Sequence, residues 1–247
     1  MRRIFKKINN NLRFHKEVKA FQKASSKFKT RFSLKTEDYF ACMDDNTPST
    51  GFDRHYIYHT SWAARYIKQN NINHHTDISS TLFFSGVVSA FCKIDFYDYR
   101  PANLILSNLT SKSADLCNLF FEDNSVKSLS CMHTVEHVGL GRYGDPYDYD
   151  GDLKAIKELA RVLAKDGNLL FVVPIGNKAR IQFNAHRIYT KNQVIEYFKN
   201  EGLKLKEFTL IPEKEEDGGL VFNPSQELLN TQRYGCGCFI FTKIYSR

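Results

Sequence analysis

Residues 128–145 read SLSCMHTVEHVGLGRYGD, an apolar run that stops abruptly in His133, Glu136, His137, Arg142 and Asp145. A core strand gains nothing from so many ionisable groups at its end, whereas a site on the carboxyl edge of a parallel sheet needs them. The stretch therefore reads as a strand delivering titratable side chains to one edge. Its neighbours decide what kind of sheet receives it.

Downstream, Leu153, Ile156, Leu159, Val162 and Leu163 recur at helical spacing from Asp152, and Lys165-Asp166-Gly167-Asn168 reads as the stop. LLFVVP at 169–174 is apolar without alternation, as a strand covered on both faces is. Thr190 and Gln193 spell a capping box for a helix through Phe198 that Gly202 ends. LKLKEFTLI at 203–211 and CFIFTKI at 238–244 read as strands around a polar insertion.

Upstream, 56–68 has helical periodicity, HHTDIS at 74–79 is a short strand and 82–91 reads as a buried helix. IDFYDY at 94–99 is a second strand, stopped at Arg100-Pro101. A weak third strand ends near Asp115, and 126–133 is the fourth. Strands alternating with helices predict a doubly wound α/β sheet with right-handed crossovers, whose ligands lie across the strand carboxyl ends.

The chain has 247 residues, 42% hydrophobic and 25% charged, enough for one sizeable core. No apolar stretch approaches the roughly 20 residues that span a bilayer, and residues at the amino terminus lack a signal-like apolar segment. The expectation is a soluble cytoplasmic protein. The net charge of +8 is uneven: residues 1–31 hold eleven Lys or Arg against Glu17 alone, leaving 24 basic and 26 acidic residues elsewhere. That places the charge in an amino-terminal arm, with Ile4, Ile8, Leu12, Phe14, Val18 and Phe21 at helical spacing. Residues 1–50 are thus read as a basic helical arm and connecting loop, and 51–247 as the folded domain. An arm docked by its apolar face is the plain reading; peripheral contact with an anionic membrane face is the other. Nucleic acid is not an expected partner, because the remainder is slightly acidic. The oligomeric state is not legible.

The six cysteines are scattered, and only Cys236 and Cys238 are close; one such pair without neighbouring histidines is a weak metal signal. His133, Glu136 and His137 spell HxxEH, a zinc pattern only where one helix carries both histidines. Residues 126–133 read as extended, so no metal site is assigned. Acids in PYDYDGD, 146–152, suit a helix amino terminus better than a Mg²⁺ site.

The ordered positions Asp77 to Ser80, Asp98, Asp115 and His133 resemble class I S-adenosylmethionine-dependent methyltransferases over roughly residues 50–245. FDRHYIYHTSWAAR, DISSTLFF and MHTVEHVGLGRYGD together resemble a bacterial branch of that superfamily, of unknown function and met among capsule and lipopolysaccharide biosynthesis genes. The resemblance implies a Rossmann-like sheet of seven strands with the last antiparallel. It implies S-adenosylmethionine held by Asp77, Ser79, Ser80, Asp98, Asp115 and Leu116, with Tyr56 folding over it beside His55 and His59. The loop after the first strand has Ser79-Ser80-Thr81 where glycines are usual, so serine hydroxyls and backbone N–H groups are expected to meet the cofactor carboxylate. His133 is then the first candidate base for a hydroxyl acceptor, with Glu136 and His137 supporting it. Arg142, Tyr143, His186 and Arg187 are candidate contacts to a sugar, nucleotide-sugar or phosphorylated acceptor. An inactive assembly partner and an RNA methyltransferase are the competing readings.

Overall fold

Four parallel strands carry the edge on which the candidate residues converge: β1 (His74–Ile78), β2 (Lys93–Asp98), β3 (Leu109–Ser113) and β4 (Val126–Met132). They are followed by β5 (Leu163–Ile175), β6 (Arg180–Gln182), β7 (His186–Ile188), β8 (Leu203–Ile211), β9 (Val221–Phe222) and β10 (Gly235–Lys243). The main sheet runs β3-β2-β1-β4-β5-β10-β8-β9, with β10 antiparallel to both β5 and β8. In this computed structural model, residues 2–27 and 31–243 are described, and the chain divides into two compact units, 1–52 and 53–247.

The first unit contains α1 (Arg2–Ser25) and the loop after it. Arg13 donates to the Met43 carbonyl at 2.8 Å, and Phe14 meets Tyr39 edge-on at 5.8 Å. Leu12 and Phe21 are exposed while Phe14 and Val18 are half-buried. The side chains of Ile4 and Ile8, also expected on the apolar face, lie outside the described residues.

In the second unit, α2 (Arg54–Gln69) and α3 (Leu82–Val88) pack on one sheet face, and α4 (Gly151–Val162) and α5 (Lys191–Asn200) on the other. A short α6 (Gln226–Thr231) precedes β10. Strand β5 shows why its sequence lacks alternation. Leu169, Phe171 and Val173 enter the core under α4 and α5, while Leu170 and Val172 enter the core under α2 and α3. Each such side chain contributes about 1.5–3 kcal/mol of burial. Asp53 caps α2 by accepting from the Tyr56 N–H, Thr81 caps α3, and the Thr190–Gln193 capping box is formed.

Three details differ from the sequence reading. The main sheet has eight strands rather than seven, because Val221 and Phe222 in the polar insertion add a two-residue edge to β8. Two residues are too few to show a strand pattern. Helix α4 stops at Val162, because Leu163 is already extended and pairs with Val126. The helix beginning at Leu82 ends at Val88, short of residue 91, and is buried on one face only, since Leu82, Phe83 and Val87 are exposed.

Candidate active site

The turn after β1 keeps a glycine-like shape with serine in it. Ser79 has φ +56°, its N–H donates to the Tyr97 carbonyl at 2.6 Å, and Thr134 Oγ1 donates to the Ser79 carbonyl at 2.8 Å. These bonds from β2 and from the turn after β4 hold a left-handed residue that Cβ sterics disfavour. The serine hydroxyls are turned into the frame: Ser79 Oγ donates to Tyr97 O at 3.2 Å, and Ser80 Oγ accepts from the Met132 N–H at 3.0 Å. Both hydroxyls, expected to meet a cofactor, thus have partners within the protein, while Ser79, Ser80 and Thr81 line the cleft.

Asp77 is corrected as well. It is fully buried and does not line the cleft. Its carboxylate accepts from Ser85 Oγ at 2.8 Å and from Ser130 Oγ, and burial raises it to about 6 against the pull of those hydroxyls. Ser130, whose hydroxyl donates to Asp77, accepts from His75 Nε2 at 2.8 Å, and Ser128 Oγ donates to His75 Nδ1 at 2.7 Å. Asp77 thus anchors a buried polar layer behind the turn.

In front of that layer lies a cleft of about 570 Å³ along the carboxyl ends of β1 to β4. Ser79 and Ser80 line its floor, Asp98 and Arg100 follow β2, Asp115 and Leu116 follow β3, and Met132 and His133 follow β4. Asp98 Oδ1 accepts from the Arg100 N–H at 2.7 Å, and Asp115 Oδ1 from the Cys117 N–H at 2.8 Å, which fixes each carboxylate over the cleft. Tyr56 reaches it from α2.

A second cavity of about 360 Å³ adjoins the first, and Tyr56, His133, His137 and Tyr143 line both. Asp53, His55, Glu136, Arg142, Ala185, His186 and Tyr234 complete it. His133, at φ +55°, is buried, and the rings of Tyr56 at 5.4 Å and His55 at 5.3 Å are near-parallel to it. His133 Nδ1 donates to Glu136 Oε1 at 2.7 Å, and its Nε2 lies 3.4 Å from Cys236 Sγ. Burial holds His133 down at about 4 and pushes Glu136 up to about 7. With Nδ1–H on Glu136 and Nε2 against Cys236 Sγ, His133 presents no free nitrogen to the cavities it lines in this arrangement, which does not favour its expected role as base.

His137 is placed differently. Its Nδ1–H donates to the Ala185 carbonyl at 2.6 Å, so Nε2 carries the lone pair, 3.8 Å from Glu136 Oε1. Burial lowers its affinity for a proton. His133 and His137 do not converge on one helix face, since Val135–His137 is a single 3-10 turn. The HxxEH pair is therefore no zinc site.

Arg142 donates to the Ala185 carbonyl at 3.0 Å and lies over the Tyr143 ring at 5.1 Å. His186 stacks on Tyr234 at 5.1 Å and bonds Gln182 at 2.7 Å. Arg187, expected to contact the acceptor, is buried and donates to the carbonyls of Val138 at 2.6 Å and Tyr149 at 2.9 Å. It staples the loop instead. That loop is also held by Asp145, which accepts from the N–H groups of Gly139, Gly141 and Tyr143. Burial opposes the Asp145 charge, but those donors keep its carboxyl below the usual range. Asp148 pairs with Lys154 at 2.5 Å, and Asp152 accepts from the Tyr189 hydroxyl at 2.9 Å, so these acids serve the loop and α4.

The site gains residues the sequence reading gave no role: Asp53 and Tyr234 in the second cavity, and Cys236 beneath His133. His55 and Tyr56 do line the cavities, whereas His59 is fully buried behind them.

The family model "Caenorhabditis protein of unknown function, DUF268" matches residues 110–199. The branch expected from sequence was bacterial, and that description names Caenorhabditis. No curated protein matches the chain. Among solved structures, the Burkholderia thailandensis 1,6-didemethyltoxoflavin N1-methyltransferase with bound S-adenosylhomocysteine aligns at TM-score 0.54 and 9% identity, over 76% of this chain and 79% of that one. A Leishmania major S-adenosylmethionine-dependent methyltransferase aligns at TM-score 0.54 and 10% identity, over 78% and 74%. The [4+2]-cyclase SpnF aligns at TM-score 0.52 and 12% identity, over 76% and 81%. The fold is thus the Rossmann-like fold of class I methyltransferases, a frame that also serves a cyclase.

Proposed function

We propose that the chain is an S-adenosylmethionine-dependent O-methyltransferase. The observation that carries this reading is the juxtaposition of two cavities at the carboxyl edge, one rimmed by Asp98 and Asp115 and the other polar, sharing the wall of Tyr56, His133, His137 and Tyr143. The first suits the cofactor: two fixed carboxylates meet hydroxyl and amine donors, and Ala114, Leu116 and Met132 offer an apolar bed for a flat heterocycle.

Bound there, S-adenosylmethionine supplies a methyl group activated on a sulfonium. Asp98 would accept from the ribose hydroxyls, and the Tyr56 ring would face the sulfonium from α2. His137 Nε2 would take the proton of an acceptor hydroxyl, with its Nδ1–H fixed by Ala185. The Tyr56 and Tyr143 rings would exclude water from the shared wall.

The acceptor class, a sugar, nucleotide-sugar or phosphorylated precursor of a surface polysaccharide, rests on the sequence resemblance. Arg142, His186 and Asp53 in the second cavity are consistent with such a polar molecule. Transfer of radiolabelled methyl from S-adenosylmethionine to a panel of sugars, nucleotide-sugars and sugar phosphates tests this. Label in an O-methyl product, absent with Asp98→Ala, supports it; no label in any of them refutes the acceptor class. The basic arm adds a proposed peripheral contact with anionic lipid. Vesicles rich in phosphatidylglycerol should bind the full chain and not one lacking residues 1–31, and equal binding would contradict the contact.

A further inference from the structure

We propose that His55, His133 and Cys236 form a binding site for a zinc-class divalent transition metal, its fourth position open to the second cavity. The three residues come from α2, from the end of β4 and from β10, and one ligand atom of each lies within 4.8 Å of the others. His133 Nε2 and Cys236 Sγ are 3.4 Å apart, close to the edge of a ligand tetrahedron built on bonds of roughly 2.0–2.3 Å.

The surroundings are those of a metal centre. His133 has its other nitrogen anchored, its Nδ1–H donating to Glu136 Oε1 at 2.7 Å, and the His55 ring is held against the Tyr234 ring at 4.9 Å. A carboxylate or carbonyl behind a ligating imidazole sets the tautomer and turns the remaining lone pair to the ion. Two buried polar atoms beside the cluster have no hydrogen-bond partner among the described residues: Glu136 Oε2, and Nε2 of His59, whose ring is 5.1 Å from that of His133. Buried groups left unpaired need an explanation, and a cation with its bound water supplies one.

The donor set selects the metal class. One thiolate and two imidazoles suit Zn²⁺, Co²⁺ or Ni²⁺ and not Mg²⁺. On binding, the Cys236 S–H bond gives way to a sulfur–metal bond and the proton leaves to solvent. Because His55 and His133 line the second cavity, a ligand entering the fourth position would be a water, hydroxyl or thiol of a molecule held there. The site itself does not depend on the methyl-transfer reading.

The test uses the full chain, stripped of metal and titrated with Co²⁺, with S-adenosylhomocysteine affinity measured in parallel. One equivalent should give intense tetrahedral d–d bands and a thiolate-to-cobalt charge-transfer band, and Zn²⁺ should abolish both. Cys236→Ser should lose the charge-transfer band while Cys238→Ser keeps it. His55→Ala, a half-buried position that leaves the core intact, should weaken Co²⁺ at least tenfold. Absence of these bands at one equivalent, their survival in Cys236→Ser, or unchanged affinity in His55→Ala overturns the site. Loss of S-adenosylhomocysteine binding alone would count against the methyltransferase reading and leave the metal site standing.

Discussion

The Nδ1–H of His137 meets the Ala185 carbonyl at 2.6 Å, which leaves Nε2 as the lone pair on a ring that lines both cavities. His133, four residues earlier, has neither nitrogen free. The proposed function therefore places the base at His137 and not at His133. Replacing His137 with Gln should lower turnover on an O-acceptor about 10²-fold or more and leave S-adenosylhomocysteine affinity within about twofold. The pH profile carries a second check. Burial lowers the His137 pKa from its usual value, so activity should fall only on the acid side of that value, and His137→Gln should lose that limb.

Gly139 sits at φ +81°, and a Cβ built there would overlap the Asp148 carbonyl oxygen. Gly144 has a similar φ, +85°, with open space around it. Gly139→Ala should therefore displace the 139–148 loop and weaken S-adenosylhomocysteine binding, since Gly139, Pro146 and Asp148 line the cleft. Gly144→Ala should cost only the left-handed strain of about 1–2 kcal/mol. Calorimetry and thermal melts on both variants check the contrast.

Arg187 bonds the carbonyls of Val138 and Tyr149 and lies 3.6 Å from Asp152, with both side chains nearly buried. Arg187→Leu removes one member of a buried charge pair and should destabilise the fold by about 3–5 kcal/mol, read as a lowered urea midpoint. A residue that only met the acceptor would change KM and leave that midpoint unmoved.

His75 is held at about 3 by burial between Ser128 and Ser130, against a usual 6.5. The unfolded chain takes up a proton there that the folded chain refuses. This contribution is fully present above pH 6.5 and declines as the pH falls from there towards 3. Asp77, raised to about 6 in the same layer, acts with opposite sign between pH 3.8 and 6. Between pH 6.5 and 5, His75→Gln should flatten the fall of stability by up to one proton, about 1.4 kcal/mol per pH unit, seen in urea midpoints at several pH values. An unchanged slope would mean that His75 is protonated in the folded state.

What the sequence disclosed follows from where periodicity and caps are strong. The β1 to β5 strands, the Thr190 capping box and the order of Asp98, Asp115 and His133 along one edge were legible, because a strand's carboxyl end is fixed once its apolar run is fixed. Side-chain direction was not. Asp77 sits behind the cleft and points inward, and the Ser80 hydroxyl is engaged by the frame although its residue lines the cleft, because Ser85, Ser130 and Met132 supply the partners. Arg187 reads as a surface cation, and only the folded loop reveals the carbonyls it serves. Cys236 was set aside for want of neighbouring histidines, and the histidines lie about 100 and 180 residues upstream.

The central claim is that the cleft over β1 to β4 holds S-adenosylmethionine through Asp98. Titration calorimetry of the full chain with S-adenosylhomocysteine measures this directly. One site per chain is expected, weakened on the order of 10-fold or more in Asp98→Ala, as loss of a hydrogen bond to a charged group implies. No binding at millimolar ligand, or equal binding by the variant, would contradict the account.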